Sequence, residues 1–349
     1  MGLETRDLKT CNLSLNMFVD AHLDLAFSAQ IDRNPARSLE ELRGGNFPDI
    51  PTVSFEEMRR GDVGLCFGTL FAMPQKPEYP AGYEDWRGAQ AQAQSQLEQY
   101  YRWQDDGQIV LLHTWDEVQR HRKEWTLEPE SPSKAIGVIL LMEGADPIKN
   151  PDDLERWTKA GVRLIGPAWE ATRYAGGTDH PGPLTGLGQE LLVGMRELDV
   201  ILDVSHLDTQ AYFQALELQP LAVATHANAR ALVNTNRQLS DEMIDALGKL
   251  EGMIGLVPYN KFLVHEWDRP MPRLEIGALT RHAEHIAEIV GWKRVGIGSD
   301  FDGGFGEGEI PLGFSSIRDF ERFGDIAPNE SARAGVLGGN WLRWLEENF

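Results

Sequence analysis

Eight apolar runs follow one another along the chain, and amphipathic segments separate most of them. The apolar runs occupy residues 16–25, 62–72, 135–144, 162–169, 199–207, 221–227, 252–259 and 294–301. Apolar residues at helical spacing fill residues 151–160, 184–198, 208–218, 240–250 and 274–291. An apolar run without alternation is typical of a strand that is buried on both faces of a parallel sheet or barrel. This alternation of strands and helices predicts an α/β fold, the (β/α)8 TIM barrel.

Three segments depart from the alternation. A stretch rich in Pro and Gly at 73–83 and a long polar helix at 84–105 indicate an insertion after the second strand. Residues 262–275, which contain two prolines, are predicted to form a loop over the barrel mouth, and residues 329–347 a C-terminal helical extension. No repeat or change of composition divides the chain, so we expect residues 1–349 to form a single domain.

Gly166 and Pro167 conflict with the fourth predicted strand. Proline lacks the N–H group that a central strand donates to its neighbour. We therefore expect a β-bulge at this dipeptide, because a bulge removes one residue from the ladder.

The charge balance of the chain is strongly acidic, with 33 basic against 54 acidic residues and a formal net charge of −21. This balance disfavours nucleic acid and anionic membrane surfaces as partners. No apolar run reaches the roughly 20 residues of a membrane-spanning helix, and residues 1–15 lack the apolar region of a signal peptide. Cys11 and Cys66 have no zinc-finger spacing. A reduced, cytoplasmic protein that does not bind membranes is therefore expected.

Five of the apolar runs end in a residue that can bind a divalent metal ion. These residues are His22 and Asp24 after the first run, then Glu143, His206, His226 and Asp300. In a parallel barrel the carboxyl ends of the strands form the active-site face. A single histidine at a strand end is more often structural, but six such side chains on one face indicate a metal centre.

The spacing of these residues predicts two metal ions. His22 and Asp24 are two residues apart on one strand, so their side chains share a face and can bind one ion. The two oxygens of Glu143 can bridge that ion to a second one about 3.5–4 Å away. His206 and His226 come from consecutive strands and are predicted to bind the second ion. Imidazole with carboxylate suits zinc, and also manganese, iron or cobalt.

Acid–base and substrate-binding residues are predicted on the same face. Asp300, with Glu143 one of two predicted catalytic residues, ends the last strand, where a carboxyl group can carry a proton to the leaving group. Arg230 and Arg237 follow His226 on one loop. A guanidinium near the metal ions would bind a substrate carboxylate through two parallel hydrogen bonds. The pattern alone leaves open which arginine does so.

Six short segments carry a more specific signal. They are Asp20-Ala-His22-Leu-Asp24, Met142-Glu143-Gly144, Asp203-Val-Ser-His206, Thr225-His226-Ala-Asn-Ala-Arg230, Gly298-Ser-Asp300-Phe-Asp302-Gly303 and Gly338-Gly-Asn-Trp-Leu-Arg343. In order and spacing they resemble the renal (membrane) dipeptidase family, a branch of the amidohydrolase superfamily. The resemblance covers the chain nearly from end to end, and it implies a TIM barrel with two zinc ions.

The resemblance also implies a role for each matching residue. His22 and Asp24 would bind one Zn²⁺ ion, His206 and His226 would bind the other, and Glu143 would bridge the two. Asp300 matches the acid that engages the substrate amine and relays protons. Arg237 matches the arginine that binds the substrate carboxylate, and Tyr259 matches a tyrosine of the substrate pocket.

One position departs from the family pattern. The family's well-known dipeptidases end the fourth strand with a histidine that contacts the scissile carbonyl, whereas the matching residue here is Trp169. An indole has a single N–H donor and cannot become a cation. Losing one oxyanion donor typically lowers the rate by about 100- to 1,000-fold. Trp169 is therefore expected in the substrate pocket, with Arg173 or His180 as nearby replacements for the histidine.

The sequence thus predicts a zinc-dependent dipeptidase that hydrolyses the amide bond of dipeptides with a hydroxide activated by two metal ions. A related amidohydrolase acting on N-acyl amino acids or lactones is the second interpretation. A catalytically weak metal-binding homologue is the third. The expected partner is a small dipeptide-like substrate. Members of the family often form dimers, so a homodimer is compatible with the resemblance, although no interface pattern is visible in the sequence.

Overall fold

The computed structural model describes residues 17–127 and 134–349, so the predictions for residues 1–15 and Cys11 lie outside it. The strands are β1 (Phe18–Leu23), β2 (Val63–Phe71), β3 (Ile109–Leu111), β4 (Ile136–Glu143), β5 (Val162–Gly166), β6 (Ala175–Gly177), β7 (His180–Leu184), β8 (Ile201–Asp203), β9 (Ala222–Val223), β10 (Ile254–Leu256) and β11 (Val295–Ile297). The α-helices are α1 (Leu25–Gln30), α2 (Leu39–Arg43), α3 (Phe55–Arg60), α4 (Trp86–Asp105), α5 (Trp115–Leu127), α6 (Leu154–Lys159), α7 (Gly186–Glu197), α8 (Thr209–Leu218), α9 (Asp241–Lys249), α10 (Asn260–Leu263), α11 (Gly277–Val290), α12 (Glu330–Ala334) and α13 (Asn340–Asn348). Short 3-10 helices cover Pro151–Asp153, Trp292–Arg294, Glu307–Glu309 and Ile317–Ile326, and a π-helical turn covers Gly335–Gly339.

Parallel strands form a barrel around an apolar core. The strands β1, β2, β4, β5, β8 and β9 are hydrogen-bonded in this order. Ala224, just after β9, continues the parallel pairing to Ile254 of β10, and β10 pairs with β11. Each of the eight predicted apolar runs contains one of these strands, and α7, α8, α9 and α11 follow strands as the helical periodicity predicts. The predicted (β/α)8 fold is confirmed.

The ring closes between its last and first strands. The backbone N–H of Asp300, just after β11, donates to the carbonyl of His22 in β1 at 3.1 Å. The backbone N–H and the hydroxyl of Ser299 donate to the carboxylate of Asp20 at 2.7 and 2.5 Å. We call these four residues the closing seam. In the seam, hydrogen bonds to the buried carboxylate of Asp20 replace part of the regular β-ladder between β11 and β1.

The insertion after β2 carries more structure than the sequence pattern predicts. Its long helix is α4, as expected, and the three-residue strand β3 then pairs with the beginning of β4 outside the barrel order. A second addition, the antiparallel hairpin β6–β7, follows β5. These strands were not predicted because they are short and because β7 is largely exposed and contains two prolines.

The bulge expected at Gly166 and Pro167 is wrong. The β4–β5 register shifts lower down, between Leu140 and Leu141, and β5 ends at Gly166. Pro167 follows the strand, so its missing N–H interrupts no ladder, and its carbonyl accepts a hydrogen bond from the N–H of Ala145 at 3.4 Å.

The C-terminal extension covers the barrel next to the seam. The single helix predicted for 329–347 is instead α12, the π-helical turn and α13, because Gly338 adopts φ +147° within it. A Cβ atom on Gly338 would lie 2.8 Å from the backbone nitrogen of Val19, so glycine is needed for this close approach to β1. The side-chain amide of Asn340 donates to the carbonyl of Val295 in β11 at 2.8 Å. In the part of the chain that the structure describes, no helix is long and apolar enough to cross a membrane.

Candidate metal centre

The strand-end residues predicted to bind metal meet at the carboxyl ends of the barrel strands. Atoms that can ligate a metal lie within 4.8 Å of one another in two groups that share Glu143. The first group combines His22 and Asp24 with Glu143, and the second combines His206 and His226 with Glu143. All five residues are buried.

The Glu143 carboxylate lies between the two groups. Its Oε1 is 3.0 Å from Nε2 of His206 and 3.3 Å from Nε2 of His226. Its Oε2 is 3.6 Å from Nε2 of His22, which is itself 4.0 Å from Oδ1 of Asp24. One oxygen therefore faces each group, which is the arrangement that a bridging carboxylate requires.

Hydroxyl groups contact the opposite edge of each imidazole ring. Nδ1 of His206 lies 2.9 Å from Oγ1 of Thr178. Nδ1 of His22 and Nδ1 of His226 lie 3.1 and 3.0 Å from Oγ1 of Thr225. Ring orientation by such partners is typical of histidines that bind metal through the other nitrogen.

The electrostatics of the cluster favour a cation between the ligands. Burial opposes the ionisation of Glu143, but the three histidines hold its pKa well below the usual value. Burial also opposes a charge on His22, yet Glu143, Asp24 and Asp300 raise its pKa to about 10. Burial and Arg237 lower the pKa of His206 to about 4, which favours a neutral imidazole that could bind a metal ion. The negative field that raises the pKa of His22 would equally stabilise a divalent ion at Nε2 in place of the second ring proton.

The donor set fits such an ion. The Nε2 atom of His22 is buried and has no hydrogen-bond partner among residues 17–127 and 134–349. The Nε2 atoms of His206 and His226 lie 3.0 Å apart against the same Glu143 oxygen. Nitrogen and carboxylate lone pairs that converge in this way repel one another unless a cation lies between them, and imidazole with carboxylate is a set that zinc prefers.

Asp203 forms a third close group with His22 and His226, but both of its carboxylate oxygens already accept hydrogen bonds. Its two oxygens accept hydrogen bonds from the backbone N–H and the hydroxyl of both Ser205 and Thr225. The carboxylate of Asp203 therefore holds Ser205 and Thr225 in place, and it is not free to bind a metal ion.

Asp300 faces the same cavity, in surroundings that raise the pKa of its carboxyl group. Burial raises the pKa of its carboxyl well above the usual value; Asp24 and Glu143 add to the rise, whereas His22 and Arg237 oppose it. Its backbone is in the left-handed region, with φ +56°. A Cβ atom on Gly303 would lie 1.9 Å from Oδ1 of Asp300, so glycine leaves room for the carboxyl group.

Of the two candidate arginines, only Arg237 lines the cavity. Arg237 is buried and lines the cavity, where it donates to the carbonyls of Ser205 and His226 at 3.1 and 2.8 Å. Those bonds leave part of its guanidinium fork unused. Arg230 does not line the cavity; it donates to the carbonyl of Gln238 and to the Thr209 hydroxyl.

The cavity has a volume of about 360 Å³ and two aromatic walls. One wall consists of Phe27, which follows β1, Phe71, which is the last residue of β2, and Trp169, which follows β5. The ring centroid of Phe71 lies 5.0 Å from that of Phe27 and 5.0 Å from that of Trp169. Tyr259, Phe262 and Phe305, from the chain after β10 and β11, form the other, where the rings of Tyr259 and Phe305 stack at 4.3 Å.

Neither suggested replacement for the family histidine reaches the cavity, so this suggestion is wrong. The guanidinium of Arg173 is bound to Asp146 and to the carbonyls of Ile148 and Lys149. The side chain of His180 is 58% exposed and lies 3.9 Å from Glu170, which also pairs with Lys76. The amino group of Lys76 lies 4.7 Å from the ring centroid of Trp169, which fixes the indole as part of the wall.

The sequence interpretation did not assign a role to several residues of the site. The Thr225 and Ser205 hydroxyls had a visible signal, because each immediately precedes a predicted histidine ligand. Thr178, Phe27 and Phe71 had none, since their place in the site depends on the fold of distant loops.

The chain is similar to proteins of one known family. The model of the membrane dipeptidase family, peptidase family M19, matches residues 13–348. An uncharacterized protein in the pqqA 5′ region of Klebsiella pneumoniae is 32% identical over 209 residues, which are 56% of this chain and 73% of that protein. An uncharacterized dipeptidase of Schizosaccharomyces pombe is 25% identical over 344 residues, 93% of this chain and 79% of that protein.

The fold is also shared with a solved structure. A metallopeptidase from Rhodobacter sphaeroides, crystallised with a phosphinate mimic of the dipeptide L-Ala-D-Ala, superposes with a TM-score of 0.79. The alignment covers 95% of this chain and 99% of that chain at 24% identity.

Proposed function

Because the chain belongs to the membrane dipeptidase family, peptidase family M19, we propose that it hydrolyses the amide bond of dipeptides with two zinc ions. The resemblance predicted from the six sequence segments is confirmed, and the chain is accordingly a metal-dependent hydrolase. The observation that carries the proposal is the Glu143 carboxylate, which directs one oxygen to His22 and the other to His206 and His226.

The proposed ligands divide into two sets that share one residue. His22 and Asp24 would hold the first ion, His206 and His226 the second, and Glu143 both. When bound, a pair of divalent ions polarises the scissile carbonyl and activates water as a nucleophile. The remaining steps belong to the side chains around the cavity.

Arg237 is the proposed partner of the free substrate carboxylate. Its guanidinium is held in place by two backbone carbonyls and retains unused N–H donors toward the cavity. The guanidinium carbon lies 5.3 Å from the ring centroid of Phe262. A carboxylate bound there would bring the C-terminal side chain of the substrate against the wall of Tyr259, Phe262 and Phe305.

Asp300 is the proposed proton donor to the leaving amine. Its carboxyl group lines the cavity, and burial raises its pKa, which favours the protonated form that a proton donor needs. As the amide C–N bond breaks, the departing nitrogen would take this proton and leave as a neutral amine. The aspartate would then be ready to accept a proton from the incoming water.

Two aromatic walls support a preference for apolar dipeptides. With the C-terminal side chain beside Phe262, the N-terminal side chain would face Phe27, Phe71 and Trp169. Burial of an apolar side chain contributes about 25 cal/mol per Å², whereas a charged side chain would lose its hydration against these rings. In this role Trp169 is a specificity residue and not a substitute for the family histidine.

A panel of substrates tests the proposal. Purified chain loaded with Zn²⁺ should hydrolyse apolar dipeptides with free termini faster than acidic dipeptides, tripeptides, N-acyl amino acids or lactones. Bound zinc should measure two ions per chain. No dipeptide hydrolysis by the zinc-loaded wild type would exclude the proposed dipeptidase, and equal activity of the wild type and Asp300→Asn would exclude Asp300 as the proton donor.

Trp169 favours one competing function. Without the family histidine, a substrate with a better leaving group than an amine needs less stabilisation of its oxyanion. Faster turnover of lactones than of any dipeptide would therefore support the related amidohydrolase. Faster turnover of N-acyl amino acids, whose leaving group is also an amine, would support it through substrate binding instead. Fewer than two ions per chain after zinc loading would support a catalytically weak metal-binding homologue.

Replacing Arg237 should reduce the preference for a free carboxylate. We expect Arg237→Met to lower kcat/KM for dipeptides by about 100-fold, since hydrogen bonds to charged groups contribute about 1.5–3 kcal/mol and 1.4 kcal/mol is tenfold. The loss should be much smaller for the matching dipeptide amides, which lack the carboxylate. Steady-state kinetics on both substrate series measures this difference.

Arg230→Met is the matched control, because Arg230 lies on the same loop but outside the cavity. It should leave the ratio of dipeptide to dipeptide-amide turnover unchanged. If Arg237→Met lowers both series equally, the residue supports the loop and does not bind the carboxylate.

A further inference from the structure

The hydroxyl group of Thr225 contacts one histidine from each half of the metal centre. Its Oγ1 lies 3.1 Å from Nδ1 of His22 in β1 and 3.0 Å from Nδ1 of His226, which follows β9. The two imidazole rings stack with centroids 3.5 Å apart. Thr225 is completely buried, so water does not compete for these contacts.

The direction of each hydrogen bond follows from the partners of Asp203. Oγ1 of Thr225 donates its only proton to Oδ2 of Asp203 at 2.5 Å, and the backbone N–H of Thr225 donates to Oδ1 at 3.0 Å. The Ser205 hydroxyl donates to the same carboxylate. A hydroxyl has one proton and two acceptor lone pairs, so Oγ1 is left as an acceptor towards both imidazoles.

Both imidazoles must then carry their proton on Nδ1. This leaves the Nε2 lone pairs of His22 and His226 directed at Glu143, at 3.6 and 3.3 Å from its two oxygens. We propose that Thr225 is a positioning residue that sets the tautomer and orientation of one ligand for each metal ion at once. The inference rests on the two-ion centre of the proposed function and adds that the two ion sites share one hydroxyl.

The contacts of His206 provide an internal comparison. Its Nδ1 atom lies 2.9 Å from the hydroxyl of Thr178, which contacts only that ligand. Loss of the Thr178 hydroxyl should therefore weaken the binding of one ion, whereas loss of the Thr225 hydroxyl should weaken the binding of both. A residue that merely packs the loop would not produce this difference.

Competitive chelator titration of the full chain with Zn²⁺ tests the inference. Partners of metal-bound histidines typically contribute about 10- to 100-fold in affinity. Thr225→Val, which keeps the side-chain shape, should weaken both binding steps by about this factor, whereas Thr178→Val should weaken one. Thr225→Ser keeps the hydroxyl and should bind both ions nearly as the wild type does.

The outcomes separate this inference from the proposed function. A wild type that binds two ions and a Thr225→Val that binds them equally well, or loses only one, would overturn the role of Thr225 alone. A wild type that binds fewer than two ions would overturn the two-ion centre itself, and the role of Thr225 with it.

A measurement on the wild type covers the case in which Thr225→Val does not fold. In the zinc-loaded wild type, ¹⁵N NMR of labelled histidine should show protonated Nδ1 atoms on His22 and His226. Protonated Nε2 atoms there would overturn the proposal without any variant.

Discussion

Glu143→Gln should lower kcat/KM for dipeptides by about 1,000-fold or more and leave fewer than two zinc ions per chain. The change keeps the shape of the side chain but removes the charge that both groups of histidines face. Bound metal ions supply several kcal/mol of transition-state stabilisation, and each 1.36 kcal/mol is tenfold in rate. Steady-state kinetics and metal analysis of the same preparation measure both effects.

Glu57→Gln is a suitable control for this prediction. Glu57 is also a buried glutamate, but its carboxylate accepts from the Ser316 hydroxyl at 2.7 Å and pairs with Arg60 at 3.0 Å, away from the cavity. It should change thermal stability without changing zinc content. A Glu143→Gln protein that still holds two zinc ions and hydrolyses dipeptides well would contradict the proposal that Glu143 bridges the two ions.

Asp300→Asn should lower kcat by about 100- to 10,000-fold, the range expected when a general acid–base group is removed. Zinc content should stay at the wild-type value, because Asp300 is not one of the proposed ligands. Asparagine tolerates the left-handed backbone at φ +56°, so the chain should fold normally. The expected pattern is therefore a fully loaded, folded and nearly inactive protein.

Asp302→Asn provides the comparison two residues further on. Asp302 has a similar φ of +65°, but its carboxylate accepts from the N–H and hydroxyl of Thr52 and from the N–H of Val53. Its replacement should lower Tm and largely preserve kcat. If the Asp300 variant loses zinc in proportion to its activity, the aspartate supports metal binding and does not transfer the proton.

The barrel was predictable because each of its strands is buried on both faces, so that eight mainly apolar runs differ clearly from the more polar helices and loops between them. β3 and the β6–β7 hairpin were not predictable, since three to five residues carry too little pattern. The break in the C-terminal helix arises from contact between Gly338 and Val19, which no local signal in the helix reveals.

The site was predictable to the extent that strand direction determines it. The alternation of side chains along a strand placed His22 and Asp24 on one face, and strand ends brought Glu143, His206 and His226 together with them. Loop residues were harder, because Arg237 and Arg230 follow the same strand and only the path of the loop turns one into the cavity. Likewise, Trp169 belongs to an aromatic wall because its ring contacts Phe71, which lies nearly one hundred positions earlier in the chain.

The closing seam affects the order in which the chain folds and binds zinc. The contact between Asp20 and Ser299 joins residues 279 positions apart, and contacts of such separation form late because the entropy of the intervening chain opposes them. His22 on β1, whose carbonyl accepts from the N–H of Asp300 across the seam, therefore reaches its final neighbours only when the last strand docks. We expect a nascent or partly folded chain to hold zinc poorly, so that acquisition of the metal coincides with the final folding step.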